Sequence, residues 1–315
     1  MTARSAPPST PQAGDRVFLV DANNLVHRLY HASAPRFAPN DQSTPINAVI
    51  AWGQRMRALR LGHDPAFLLP IFDGPGDSWR RALAPDYKAK RKGQPDELRG
   101  QWEPIWHLSQ ALGLSPLHQP GLEADDLIGA YANACVEAEL EVTIVSNDSD
   151  LMQLVRGPDR GPGSVRQLDA FTGKRVGPVQ VEAKFGVPPE RLAELFALTG
   201  SKGDGVPGIP GIGPKIATEL LATYGSLEGV LDNAALIPQR KRSERILAHR
   251  DDARLSLQLT ALRVGEPLPL PLDELERWRP SRRALDAFFG AFGFPNFRAA
   301  MDGPAPAEPP GPGYW

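Results

Sequence analysis

The chain has 315 residues, 41% hydrophobic and 23% charged, which is enough apolar content for a sizeable core and excludes wholesale disorder. Its single cysteine, Cys135, excludes a disulfide scaffold and a cysteine-based zinc site, and fits a reducing, cytoplasmic setting. No apolar run reaches the ~18 residues of a membrane span. The formal net charge of −2 leaves the placement of charges, rather than their sum, to decide for or against a nucleic-acid partner.

In chain order, residues 2–14 are rich in Pro, Ser and Ala, without the apolar stretch of a secretory signal, and read as a mobile end. Three short apolar runs follow, each leading into acid. Val17-Phe18-Leu19-Val20 precedes Asp21, Phe67-Leu68-Leu69-Pro70-Ile71-Phe72 precedes Asp73, and Val142-Thr143-Ile144-Val145 precedes Ser146-Asn147-Asp148-Ser149-Asp150. Helical patterns over 46–61, 98–112 and 124–138 separate them, so the runs read as buried parallel strands of an α/β domain. Pro70 cannot donate to a ladder, which makes its strand an edge or a broken one. From about 188 the pattern becomes short helices and Gly/Pro turns. The expected organisation is a disordered tail over 1–15, an α/β domain over 16–187, a helical domain over 188–302 and a second disordered tail over 303–315.

In an open parallel sheet, sites form beyond the carboxyl ends of the strands. Asp21, Asp73 and the Asp148/Asp150 pair therefore converge on one edge, joined by Glu123-Ala124-Asp125-Asp126 at the start of a helix. Helical spacing alone puts Glu123 and Asp126 on one face; Glu123 and Asp125 converge only if Glu123 lies in the turn before the helix. A lone strand-end Asp is best read as a cap. Four acidic groups at one edge repel, by roughly 4 kcal/mol for a pair 4 Å apart, and call for cations. Oxygen-only ligands suit Mg²⁺ or Mn²⁺, and paired ions of this kind hydrolyse phosphodiesters.

The segment from Trp79 to Lys92 carries Arg80, Arg81, Lys88, Lys90, Arg91 and Lys92 against one acid, Asp86. Alone it reads as a solvated loop. Placed after Asp73 it should overhang the acidic edge, where cations meet a phosphate backbone and Tyr87 and Trp79 offer stacking faces. A weaker basic run, Arg240-Lys241-Arg242 with Arg245 and Arg250, fits a solvated helix face equally well. Further on, Gly208-Ile209-Pro210-Gly211-Ile212-Gly213-Pro214-Lys215 before an Ala/Leu helix is the pattern of a helix–hairpin–helix DNA-backbone binder, with Gly211, Gly213 and Lys215 at the phosphates.

Together these segments resemble the 5′ nuclease (flap endonuclease) superfamily, in particular the short stand-alone exonuclease IX type and the 5′–3′ exonuclease domain of bacterial DNA polymerase I. The residues carrying the likeness are Val20-Asp21-Ala22-Asn23-Asn24, Phe72-Asp73-Gly74, Trp79-Arg80, Asp86-Tyr87-Lys88 with Arg91, Glu123 to Asp126, Ser146 to Asp150 and the stretch 200–215. The resemblance implies a PIN-like core with a mostly parallel sheet flanked by helices, followed by a helical domain. It implies a divalent-metal nuclease acting on flapped or branched DNA as a monomer. Asp21, Asp73, Glu123 and Asp125, supported by Asp126, would hold one Mg²⁺ or Mn²⁺; Asp148, Asp150 and Asp204 would hold a second. Arg80 and Lys88 would act on the scissile phosphate, with Arg81, Tyr87, Lys90 and Arg91 on DNA. K⁺ would sit on the carbonyls of Leu198, Thr199, Pro207, Ile209 and Ile212. One departure stands out: the family's Gly-Asp-x-x-Asp-Asn reads Gly200-Ser201-Lys202-Gly203-Asp204-Gly205, so one acid of the second site is Ser201. A flap-binding module with weakened catalysis, or a nuclease of RNA or RNA–DNA hybrids, are the alternative readings.

Overall fold

A computed structural model describes residues 10–91 and 93–301; the expected tail over 303–315, most of that over 1–15, and Lys92 lie outside the described residues. The strands are β1 (Arg16–Asp21), β2 (Phe37–Ala38), β3 (Asp41–Pro45), β4 (Phe67–Ile71), β5 (Glu141–Val145), β6 (Ser164–Leu168) and β7 (Arg175–Val176). The main sheet runs β4-β1-β5-β6-β7, parallel except for β7, and β2–β3 form a separate antiparallel pair. The three apolar runs are thus neighbours, and their acidic ends share one edge. Pro70 pairs with Val20 on the outermost strand, where its missing N–H faces away from β1; its carbonyl accepts from Leu117 N–H at 2.8 Å. β6 and β7 escape the apolar-run criterion because Arg166 and Gln167 interrupt one and the other has two residues.

The helices of the α/β body are α1 (Ala22–Ala32), α2 (Asn47–His63), α3 (Trp79–Leu83), α4 (Asp96–Arg99), α5 (Trp102–Ala111) and α6 (Ala124–Glu137). Alternate residues of β1 serve opposite faces of the sheet. Phe18 and Val20 pack with α1, α2 and α5, and Val17 and Leu19 pack with α6. Then come α7 (Pro178–Phe185), α8 (Leu192–Thr199), α9 (Pro214–Tyr224), α10 (Leu227–Asp232), α11 (Arg240–Ala248) and α12 (Arg250–Thr260), which bury a core of their own.

The chain beyond α12 leaves the helical domain: Leu268, Leu270, Leu272 and Leu275 lie on the α6 side of the sheet, Tyr131 Oη donates to Leu270 O at 2.7 Å, and α13 (Arg282–Ala291) and α14 (Phe297–Met301) cover α5 and α2. Residues 262–301 therefore belong in space to the α/β body, because their apolar side chains complete its core. At the other end, residues 10–15 are docked rather than loose. Gly14 N–H donates to Glu139 O at 3.0 Å, and Asp15 pairs with Arg277 at 2.6 Å.

Arg80 pins the two bodies together. It is 2% exposed and uses its whole guanidinium: Nη1 and Nη2 meet both Asp126 oxygens at 2.6 and 2.8 Å, Nη1 also meets Glu123 Oε2 at 3.0 Å, Nε donates to Leu259 O at 2.8 Å and Nη2 to Ala261 O at 3.3 Å. Trp79 Nε1 and Arg263 N–H complete the Asp126 carboxylate at 2.9 and 3.0 Å. Removing one partner of such a buried pair strands the other charge. Arg80→Ala should cost about 3–5 kcal/mol in chemical denaturation, with Arg80→Lys recovering less than half, since one ammonium cannot serve two carboxylates and two carbonyls. A loss below about 1 kcal/mol would contradict the pinning role.

Candidate metal centre and nucleic-acid interface

The acids meet where the topology sends them. Asp21 ends β1, caps α1 by accepting from Asn24 N–H at 3.0 Å, and accepts from Ser146 Oγ at 2.8 Å, which ties the ends of β1 and β5 together. Asp73, just past β4, accepts from Ala124 N–H at 2.9 Å and from Asn23 Nδ2 at 2.8 Å, so one carboxylate joins β4, α1 and the start of α6. Glu123 is the extended residue before α6, at φ −78° and ψ 154°. This settles the spacing question: Glu123 and Asp125 face one cavity, while Asp126 points behind it. The cavity is about 200 Å³, lined by Asp21, Asp73, Glu123, Asp125, Asp148 and Asp150 with Asn23, Asn24, His27, Lys88 and Arg91.

Asp21 is 3% exposed and has no cation partner among the described residues. Burial pushes its carboxyl up to about 7, against the pull of its bonds from Asn24 and Ser146. Asp125 is raised in the same direction, by lost hydration and then by the Asp21 and Asp148 charges. Lys88 Nζ lies 3.0 Å from Glu123 Oε1; burial disfavours its charge, but Glu123, Tyr87 and Asp125 together outweigh that and hold the ammonium above the usual lysine range.

These donors fit a hard divalent cation. All are oxygens, they surround a cavity of suitable size, and the carboxyls of Asp21, Asp73, Asp125 and Asp150 are all raised, chiefly by burial. Among the described residues no three His, Cys, Asp or Glu side chains stand at ligand spacing. The carboxylates line the walls, where hydrogen bonds and mutual repulsion keep them apart.

Two expectations need correction, on Arg80 and on the stacking faces, and the supporting role expected of Asp126 takes a specific form. Arg80 has no N–H left for a phosphate, because Asp126, Glu123 and two carbonyls use them all. Asp126 is fully buried and its oxygens are taken by Arg80, Trp79 and Arg263, so it supports the wall and does not line the cavity. Tyr87 and Trp79 offer no stacking face. Tyr87 is buried with Val206 and Leu259 and donates to Glu123 Oε2 at 3.2 Å, and Trp79 is covered by the guanidiniums of Arg263 and Arg80 at 3.5 and 4.5 Å. The basic segment is thus folded under the site as much as over it. Arg81 and Lys90 remain exposed, Arg81 paired with Asp77 at 3.0 Å on a second cavity beside Asp73 and Lys88.

Asp204 does not line the main cavity either. Arg91 Nη2 and Nε hold its Oδ1 at 2.7 and 2.8 Å, and Ser201 Oγ lies 3.0 Å from Oδ2. Burial raises its carboxyl, but the bonds and charge of Arg91 bring it below the usual range. In the hairpin, Gly200 and Gly208 sit at φ +66° and +63° so closely that a Cβ on Gly208 would lie 2.5 Å from Gly200 N. Of the expected K⁺ carbonyls, Leu198 O accepts from Ile209 N–H at 2.9 Å and Ile209 O from Ile212 N–H at 3.0 Å; Thr199 and Pro207 flank the same turn. Gly211 and Lys215 are exposed and Gly213 half-buried. Arg245 was legible only as part of a charge run, yet its guanidinium lies against Gly211. Asn23, Asn24 and His27 were missed as cavity residues; their signal was position, on the first turns of the helix that follows a strand-end Asp.

An acid whose carboxyl is raised on folding gives stability at low pH that is lost as pH climbs through the raised value. Asp21→Asn keeps the helix cap and removes the charge. In metal-free buffer it should therefore stabilise the protein at pH 8 by on the order of 3 kcal/mol, the gain shrinking toward pH 4. Denaturation curves at the two pH values check this, and equal gains at both would contradict the buried-charge account.

The sequence between residues 16 and 186 matches the family model of the 5′-3′ exonuclease N-terminal resolvase-like domain, and that between 187 and 283 the 5′-3′ exonuclease C-terminal SAM fold. DNA polymerase I of Rhizobium leguminosarum is 41% identical over 269 residues, 83% of this chain and 26% of that protein. Flap endonuclease Xni of Shewanella amazonensis is 35% identical over 267 residues, covering 85% of this chain and 100% of its own length. The chain spans about a quarter to a third of the DNA polymerase I relatives it matches. In fold it is similar to T5 5′-exonuclease solved with divalent zinc ions, at TM-score 0.65 and 19% identity over 88% of this chain and 98% of that one. It is also similar to the catalytic core of Rad2 solved with DNA substrate, at TM-score 0.57 and 17% identity over 90% and 89%. With both family models matched in order and a flap endonuclease matched end to end, the chain belongs to the 5′-3′ exonuclease and flap endonuclease family of nucleases.

Proposed function

We propose that the protein is a structure-specific 5′ nuclease that hydrolyses phosphodiesters of flapped or branched DNA with divalent-cation assistance. The observation that carries this reading is the shared cavity: six carboxylates from three adjacent strand ends and one helix start, with Lys88 and Arg91 at the same wall. A divalent cation held there supplies charge stabilisation for the reacting phosphate and acidifies a water molecule. Asp21, Asp73, Glu123 and Asp125 would hold one Mg²⁺ or Mn²⁺, and Asp148 and Asp150 a second. Asp204 is engaged by Arg91 and an acid is replaced by Ser201, so the second ion is the weaker one.

The chain's own groups do the rest. Lys88 balances the acids before substrate arrives and faces the negative charge that builds on the phosphate oxygens. Asn23 orients Asp73 from both sides, donating to its carboxylate and accepting from its N–H at 2.9 Å. Ser146 fixes Asp21. The hairpin at Gly211 and Gly213, with Lys215 and Arg245, would grip duplex backbone, with K⁺ on the carbonyls of Leu198, Thr199, Pro207, Ile209 and Ile212 facing a phosphate. Such contacts select structure over sequence. Similarity in sequence to a flap endonuclease, and in fold to a Rad2 catalytic core in complex with DNA substrate, supports DNA over RNA as the substrate.

Asp125→Ala should lower single-turnover cleavage of a labelled 5′-flap DNA in Mg²⁺ or Mn²⁺ on the order of a thousandfold while leaving flap binding within about twofold. Retained cleavage would reject the ligand assignment. Exchanging K⁺ for Na⁺ or Li⁺ at constant ionic strength should weaken duplex binding severalfold in a titration; identical affinities would remove the hairpin ion.

A further inference from the structure

The loop between the helical domain's hairpin and the acidic cavity is bonded directly to the backbone of Lys88. Lys88 is one of three non-glycine residues with positive φ among those described, at +54°. A lysine rarely holds that conformation unless its surroundings impose it. Its N–H donates to Asp204 O at 2.9 Å. The next residue, Gly205, is at φ +73° and approaches the same turn so closely that a Cβ there would lie 2.4 Å from Asp86 O and 3.3 Å from Tyr87 Cα. Val206 then packs on the buried Tyr87 ring, and Arg91 clasps the Asp204 carboxylate. Ser201 and Val206 close this loop by exchanging backbone bonds at 2.9 Å each, and Pro207 opens the glycine hairpin immediately after it.

We propose that the Asp204–Val206 turn is the positioning element for Lys88, with Gly205 the residue that makes the approach sterically possible. Through it, capture of duplex by the hairpin is transmitted to the group facing the scissile phosphate. The physical reason is short and local. The 204–206 turn is continuous with the hairpin on one side and hydrogen-bonded to the strained Lys88 backbone on the other. A shift of the hairpin on DNA therefore moves the Lys88 Cα with no intervening flexible segment. This places a specificity device in the chain's departure from the family's Gly-Asp-x-x-Asp-Asn, since any side chain at 205 collides with the Asp86 carbonyl. The inference rests on the nuclease reading for its catalytic half and on backbone geometry alone for its structural half.

The test has two arms, both on the full chain. In the first, Gly205→Ala is assayed on a 5′-flap DNA. Single-turnover cleavage should fall on the order of tenfold to a hundredfold with flap affinity in EDTA within about twofold. In a Lys88→Ala background the same substitution should have little further effect, because the group being positioned is gone. Should Gly205→Ala fold poorly, Val206→Ala loosens the Tyr87 contact without backbone strain and should act in the same direction with a smaller loss. An unchanged rate, or an equal loss with and without Lys88, would overturn the proposal. In the second arm, hydrogen exchange is followed in the peptide spanning 86–91 with a flapless duplex in EDTA. Exchange of the Lys88 amide should slow severalfold on binding, and less so in the variant. Equal exchange with and without duplex would overturn it. Because this arm needs no cleavage, an inactive protein would sink the nuclease reading and leave the coupling still decided.

Discussion

Six carboxylates that repel one another are forced to share a cavity, and the rest of the fold can be understood as the means of holding them there. Parallel strands send Asp21, Asp73, Asp148 and Asp150 to one edge of the sheet, and the extended residue before α6 adds Glu123 with Asp125 beside it. The protein offsets that cost from behind. Arg80 neutralises Asp126 and the outer oxygen of Glu123, and Lys88 takes the inner one. Burial is the main reason that Asp21 and Asp125 are pushed toward protonation, and the charges of neighbouring acids add to it.

The edge of the sheet was legible in the sequence because the signal is periodic and local: three apolar runs, each running straight into Asp. Pro70, which left an edge strand or a broken one open, lies in the unbroken edge strand β4. The polar strand β6 and the two-residue β7 were not legible, since a run with Arg166 and Gln167 at its centre has no apolar pattern to find. The return of residues 262–301 to the α/β body was hidden for a different reason. Short helices look alike whichever core they cover, and only Tyr131 and the sheet face reveal where Leu268 to Leu275 belong.

The basic segment shows the limit most clearly. Composition identified a positive stretch beside an acidic edge, but could not separate cations facing out from cations facing in. Arg80 faces in, saturated by five donors' worth of partners. Tyr87 is core, while Lys88 and Arg91 reach the cavity. Asp204 likewise matched a motif, yet its carboxylate goes to Arg91 and Ser201. All six cavity carboxylates thus come from the α/β body, and the loop leading to the hairpin touches the site through Arg91 and the Lys88 backbone.

The most direct test is to locate the ion. Crystals of the full chain grown or soaked in Mn²⁺ and measured at the manganese absorption edge should show anomalous density within about 2–2.5 Å of carboxylate oxygens of Asp73 and Asp125, inside the cavity that Asp21 closes. Anomalous density confined to surface carboxylates, with the cavity empty at millimolar Mn²⁺, would contradict the account.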